Sequence, residues 1–306
     1  MALKAIGTIE IPDSAGSNFD HGAFDPVTRR VFVAHTARDR LEVIDHDAKR
    51  HIATLPGFPE AAGVVAEDGH VLVTNRGSAS MAWVDARTLE TRGVHDTGAR
   101  PNGVAIVSRT KLAVVACIGD ATRGPVLEAL GLDGRTRHTI VLPGRPRWCV
   151  TDAVGQRVFL AIRDPSMVLT ARLPQLDEVR QWALPSPGAH GLDIDHHAGL
   201  LYVACDGGAL VEVESATGKV RGEWPLSGVP DATFFNQHTG LVHVAIGEPG
   251  LVQSIDPQTG HSTQQPTGPG AKTTAFAAPD RLYVFSPSHR GALMFADLTS
   301  NQRSVT

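Results

Sequence analysis

A unit of about forty residues recurs along the chain, and no other feature constrains the fold as tightly. Its first marker sits near the end of an apolar strand, a small residue in six units and a phenylalanine in the last: Ala34, Thr74, Ala116, Ala161, Ala204, Ala245, then Phe285. The steps are 40, 42, 45, 43, 41 and 40 residues. A second marker runs in phase, an acid closing the next strand: Asp45, Asp85, Asp133, Glu214, Asp256 and Asp297. Only the fourth unit lacks it, with Leu173 in its place.

Each of the seven units reads as four short strands of alternating apolar residues between Gly, Pro and Asp turns, without helical periodicity. One such unit cannot cover both of its faces, so the units must stack. That length and strand count match the blade of a propeller. The expectation is an all-β, seven-bladed β-propeller with four antiparallel strands per blade, a single domain over residues 1–306. The blades fall near 19–57, 58–98, 99–144, 145–186, 187–228, 229–268 and 269–299. The last unit supplies three strands, and residues 3–11 resemble the outer strands elsewhere. They are expected to complete it, closing the ring and removing an exposed edge.

Composition narrows the class. Basic and acidic residues nearly balance at 28 and 32, and no basic stripe suits a nucleic acid. The first residues, MALKAIGTIEIPDS, carry Glu10 and Asp13 where a signal or membrane segment would need an apolar run. The expectation is a cytoplasmic protein without nucleic-acid or membrane partners. Cys117, Cys149 and Cys205 are too few and too dispersed for a disulfide framework, and read as reduced, buried small residues.

The stretches RPNGVAIVSRTKLAVVAC, AAGVVAEDGHVLVTN, LEVIDHDAK and LVQSIDPQTG carry a pattern that resembles the YVTN-type β-propeller repeat family. That resemblance implies the fold and little about activity. In size and shape the chain is more distantly similar to gluconolactonase-type hydrolases and streptogramin B lyases. This similarity implies a divalent cation at one mouth of the channel. No catalytic motif of either group is matched, so none of their site residues is carried over.

In a propeller, the starts of the innermost strands and the loops after the second strands meet at one mouth. The stretches HGAFD and HGLDI place His21 and His190 at what reads as the same slot in blades one and five, and both are the catalytic candidates. Arg76, Arg163, Trp148 and Lys272 are substrate-binding candidates, the arginines for an anionic group. The strand-closing acids have a structural account as acceptors for turn N–H groups. Asp120, Asp164, Asp206, Asp231 and Glu248 are left without one. Among them Asp231 and Glu248, with Asn102, are candidate ligands for one divalent cation (Mg, Ca, Mn or Zn). A cation there would act as a Lewis acid in a metal-assisted, lactonase-like hydrolase or a lyase acting on a small molecule. The alternative is a non-catalytic propeller that binds a ligand or a protein partner. No Gly-x-Ser-x-Gly elbow, phosphate loop or dinucleotide fingerprint is present, so neither a nucleotide nor a flavin is expected.

Overall fold

The computed structural model describes residues 3–297, and residues 298 and 299 of the last expected blade lie outside the described residues. Seven four-stranded antiparallel sheets form a seven-bladed β-propeller. Blade one runs Gly22–Asp25, Arg30–His35, Arg40–Asp45 and Arg50–Pro56, from the channel outwards. Among the described residues no helix is long and apolar enough to cross a membrane.

Burial follows strand position. The second strands are almost fully buried, as in Leu112–Cys117, because both their faces pack against neighbouring blades. The outer strands alternate, as in Arg137–Val141, where one face looks into solvent. The apolar side chains accordingly gather between blades rather than in one central core. One cluster joins Phe32, Leu41 and Val43 of the first blade to Val71, Val73 and Val84 of the second. Another joins Tyr202 and Leu210 of the fifth to Val242 and Val244 of the sixth.

The N-terminal strand Leu3–Glu10 closes the ring. It pairs antiparallel with Gly291–Asp297 as the outermost strand of blade seven, from Leu3 opposite Asp297 to Glu10 opposite Gly291. Leu3 and Ile9 are buried in it.

Asp45, Asp85, Asp133 and Asp256 accept turn N–H groups as expected. Glu214 accepts from the Thr217 hydroxyl and from Arg221 instead of a turn N–H group, and Asp297 departs further from the series. It is buried and accepts hydrogen bonds from Asn236 and Thr239 and from the ring of His243, which ties blade six to blade seven. Asp120 also differs from expectation, because it caps its own turn through Thr122 and Arg123. The three cysteines are free and buried.

Deleting residues 1–11 removes Leu3 and Ile9 from the interior, on the order of 3–6 kcal/mol of burial, and exposes the Gly291–Asp297 edge. The truncated chain should melt far below the full chain or aggregate. An unchanged melting temperature would contradict this role of the N-terminal strand.

Candidate functional site

The mouth is built by a local irregularity repeated around the ring. Opposite the small marker residue of the second strand, the innermost strand places two residues instead of one. The register jumps there from Ala61 to Val64, Pro101 to Val104, Pro146 to Cys149, Ala189 to Gly191 and Pro230 to Thr233. In blade one the same arrangement appears as two backbone bonds to Ala34, from the Asp20 amide and to the His21 carbonyl. Such bulges bend the strand and re-aim side chains.

Aligned on this bulge, the first residues of each pair are Asp20, Ala62, Asn102, Arg147, His190 and Asp231, with Lys272 at the matching place in blade seven. All except Ala62 line one cavity of about 200 Å³ at the channel mouth. The second residues are His21, Gly63, Gly103, Trp148, Gly191 and Ala232. This corrects the sequence expectation that His21 and His190 are equivalent. Gly22 lies opposite Val33, whereas Gly191 lies opposite Ala204, so the two histidines differ by one residue. The counterpart of His190 is Asp20.

The second positions explain the glycines. A Cβ on Gly63 would collide with the carbonyl oxygen of Asn102, one on Gly103 with that of Arg147, and one on Gly191 with that of Asp231. At two of the other positions the amide reaches the next blade: His21 N–H donates to the Ala62 carbonyl at 3.1 Å and Ala232 N–H to that of Lys272 at 3.4 Å.

His21 is buried, and its Nδ1 lies 2.8 Å from Asp20 Oδ1 and 3.1 Å from the Ala62 carbonyl oxygen. Both partners only accept, so Nδ1 carries the proton. Nε2 is buried and without a hydrogen-bond partner. Asp20 also accepts from Arg76 at 2.7 Å. Burial alone would raise the Asp20 pKa, but His21 and Arg76 outweigh it and hold the carboxyl well below the usual carboxylate range.

His190 forms a second acid–histidine pair. Its Nδ1 lies 2.8 Å from Asp206 Oδ1 and its Nε2 3.6 Å from Asp231 Oδ1. Burial opposes ionisation of Asp206, yet the His190 bond and Arg163 hold its pKa at about 2. Asp231 is pushed upward, chiefly by burial and further by Asp20, against the pull of His190 and of Lys272 at 4.0 Å.

Cations outnumber these acids. Arg76, Arg100, Arg145, Arg147 and Lys272 line the cavity. Burial lowers the Arg147 pKa to about 10, with Arg145 adding repulsion; burial also lowers that of Arg145, with Arg163, Arg76 and Arg100 adding to it. The Nε atoms of Arg76 and Arg147 are buried without partners. Such an excess in a confined cavity favours an anion.

Arg76, Trp148, Lys272, Asn102, Asp231, His21 and His190 therefore meet at the mouth as expected. Arg163 does not line the cavity; its Nε is held by Asp206 at 2.6 Å. Glu248 does not line it either. The expected metal ligands do not form a site: Asn102 Oδ1 accepts from Arg76, Asp231 sits between His190 and Lys272, and Glu248 lies apart. Among the described residues no group of three or more His, Cys, Asp or Glu is placed to hold a metal ion. Sequence reasoning missed Asp20, Arg100, Arg145 and Arg147. The signal was present in the dipeptides Pro101-Asn102, Pro146-Arg147 and Pro230-Asp231, which share a register that the His-Gly match obscured.

Fold and site together define a seven-bladed propeller with a cation-rich polar mouth. No family model matches the chain, and neither does any curated protein. Among solved structures it is similar to the hydrazine synthase of Kuenenia stuttgartiensis, with a TM-score of 0.79 and 14% identity, over 92% of this chain and 96% of that one. It is also similar to a streptogramin B lyase, with a TM-score of 0.78 and 12% identity, over 97% of each chain. At such identities the likeness is one of fold.

Below the mouth, Asp193 stands on the channel wall, its oxygens accepting from the amides of Phe235 and Ile194. Burial pushes its pKa up to about 7. The folded state therefore holds a proton that the unfolded chain releases near pH 4, and stability falls as pH rises between those values. Against Asp193→Asn, the wild type should lose relative stability from about pH 4 to about pH 7 and then level off. Thermal melts of both proteins across that range check it, and a difference independent of pH would refute it.

Proposed function

We propose that the mouth binds a small anionic molecule and that His21 moves a proton on it, so that the protein acts as a lyase-type enzyme. The observation that carries this reading is the His21 imidazole itself. The Ala62 carbonyl and Asp20 fix its Nδ1 proton, leaving Nε2 as a buried, unpartnered base in a ring that lines a cavity with excess positive charge. The enzyme names of the two structural neighbours, a synthase and a lyase, are in keeping with it.

In this scheme Arg147, Arg145 and Arg100 hold the anionic group and stabilise the charge that develops beside it. His21 Nε2 takes a proton from the carbon next to that group. The electron pair of the broken C–H bond forms a carbon–carbon double bond, and the bond to a leaving group on the following carbon breaks with its pair. The leaving group, carrying that pair, takes a proton from water. The donor set at the mouth does not suit the cation of a metal-assisted hydrolase, so no step is routed through one.

Three measurements bear on this. Sulfate or phosphate should raise the melting temperature more than chloride at equal ionic strength, and Arg147→Gln should diminish the rise. A chelator should leave the melting temperature unchanged, whereas a drop of several degrees would restore the cation. With small carboxylates bearing a leaving group two carbons from the carboxylate, NMR should show vinylic protons appearing. His21→Asn should then lower kcat by about 10²–10⁴-fold. Anion binding with no turnover across the panel would sink the catalytic claim and leave a ligand-binding propeller.

A further inference from the structure

A second cavity lies next to the mouth, on the channel side. His21 and Trp148 line both the polar mouth and this cavity of about 220 Å³ beneath it. The chemistry changes at their level. Above them the walls are Arg, Lys, Asp and Asn; below them they are mainly aliphatic and aromatic, including Val64, Val150, Leu192 and Phe24. An aromatic file runs down this wall. The His21 and Trp148 rings lie 4.1 Å apart between centroids, Trp148 meets Phe234 edge-on at 5.9 Å, and Phe234 meets Phe276 at 6.5 Å. Asp193, His21 and the Cys149 thiol are the titratable groups on this lower cavity, and burial pushes the thiol up to about 12. Asp193 already accepts two backbone N–H groups. The lower cavity thus offers a ligand mostly apolar surface and ring faces.

We infer that the substrate is amphipathic, a compact anionic head joined to a flat or slender apolar tail, with the head among the mouth arginines and the tail in the channel. This deepens the anion-binding reading above and rests on it. The geometry then fixes where the reacting carbon lies. A molecule spanning both cavities passes the His21 ring at the junction between its charged and its apolar parts. The proton His21 removes is accordingly one on the carbon where head meets tail. A molecule that is charged throughout would leave the aromatic file unused, and a wholly apolar one would leave the arginines without a counter-charge.

Isothermal titration with acetate, hexanoate and 3-phenylpropanoate tests this. The two tailed acids should bind at least about tenfold more tightly than acetate, since each buried methylene favours binding. In Val150→Phe and Ala66→Phe, which narrow the lower cavity from two blades, the ratio should fall towards one; either variant suffices if the other does not fold by circular dichroism. Equal affinity of all three acids in the wild type would overturn the tail while leaving the anionic head standing. A ratio unchanged in both folded variants would also overturn it, by placing the tail elsewhere. Failure of every acid to bind, with no stabilisation by sulfate, would remove the anion reading and this one with it.

Discussion

Everything at the mouth depends on how closely the innermost strands approach one another around the channel. Seven blades share one axis, and at the bulge each strand brings its backbone against the carbonyl of the next blade. The carbonyls of Asn102, Arg147 and Asp231 occupy the space where Cβ atoms of Gly63, Gly103 and Gly191 would stand. Blades that meet so tightly leave one outlet for a large side chain, which is the mouth, and the residue before each glycine takes it. His21 and Trp148 are the large residues at the tight position, and they line both the mouth and the cavity beneath it. Packing around the axis thus sets a polar chamber next to an apolar one.

The charges in the upper chamber are set against one another with a consistent outcome. Each acid is already engaged: Asp20 by His21 and Arg76, Asp206 by His190 and Arg163, Asp231 by His190 and Lys272. What remains uncompensated is positive, on Arg100, Arg145 and Arg147. Burial weakens solvation of Arg145 and Arg147, and the neighbouring guanidiniums raise the cost further. An anion would relieve that repulsion, whereas a divalent cation would add to it. The same positive field lowers the cost of negative charge appearing on a bound molecule.

The fold was legible because its signals are periodic. The small marker residue recurs in six blades, the strand-closing acid in all but the fourth, and an incomplete last unit with an unclaimed first strand allows one closure. The site was half legible. Residue types at the mouth could be read from strand starts, so Asn102, His190, Asp231 and Lys272 were found. Their register could not, because loops of unequal length precede the strands and the bulge adds a residue that no period records. The identical His-Gly pairs at 21 and 190 then favoured an alignment one residue out, which hid Asp20 and Arg147. Asp297 failed for another reason. Its place in the repeat predicts a turn cap, but its neighbour His243 comes from the preceding blade, a contact no single unit specifies.

The two acid–histidine pairs show how a repeat scaffold comes to hold unlike side chains at like positions. Asp20 and His21 are consecutive, and they meet because the bulge sets both opposite Ala34. His190 takes its acids from the end of its own second strand and from the first position of the next blade. Neither arrangement is repeated elsewhere around the mouth, where the same positions carry alanine, asparagine, arginine and lysine. The scaffold therefore supplies equivalent points on a ring at fixed spacing, and chemistry arises from making those points unlike. Conserving the bulge and its neighbouring glycines keeps the points in place. Varying the residue before each glycine changes what they hold, at little cost to the packing between blades.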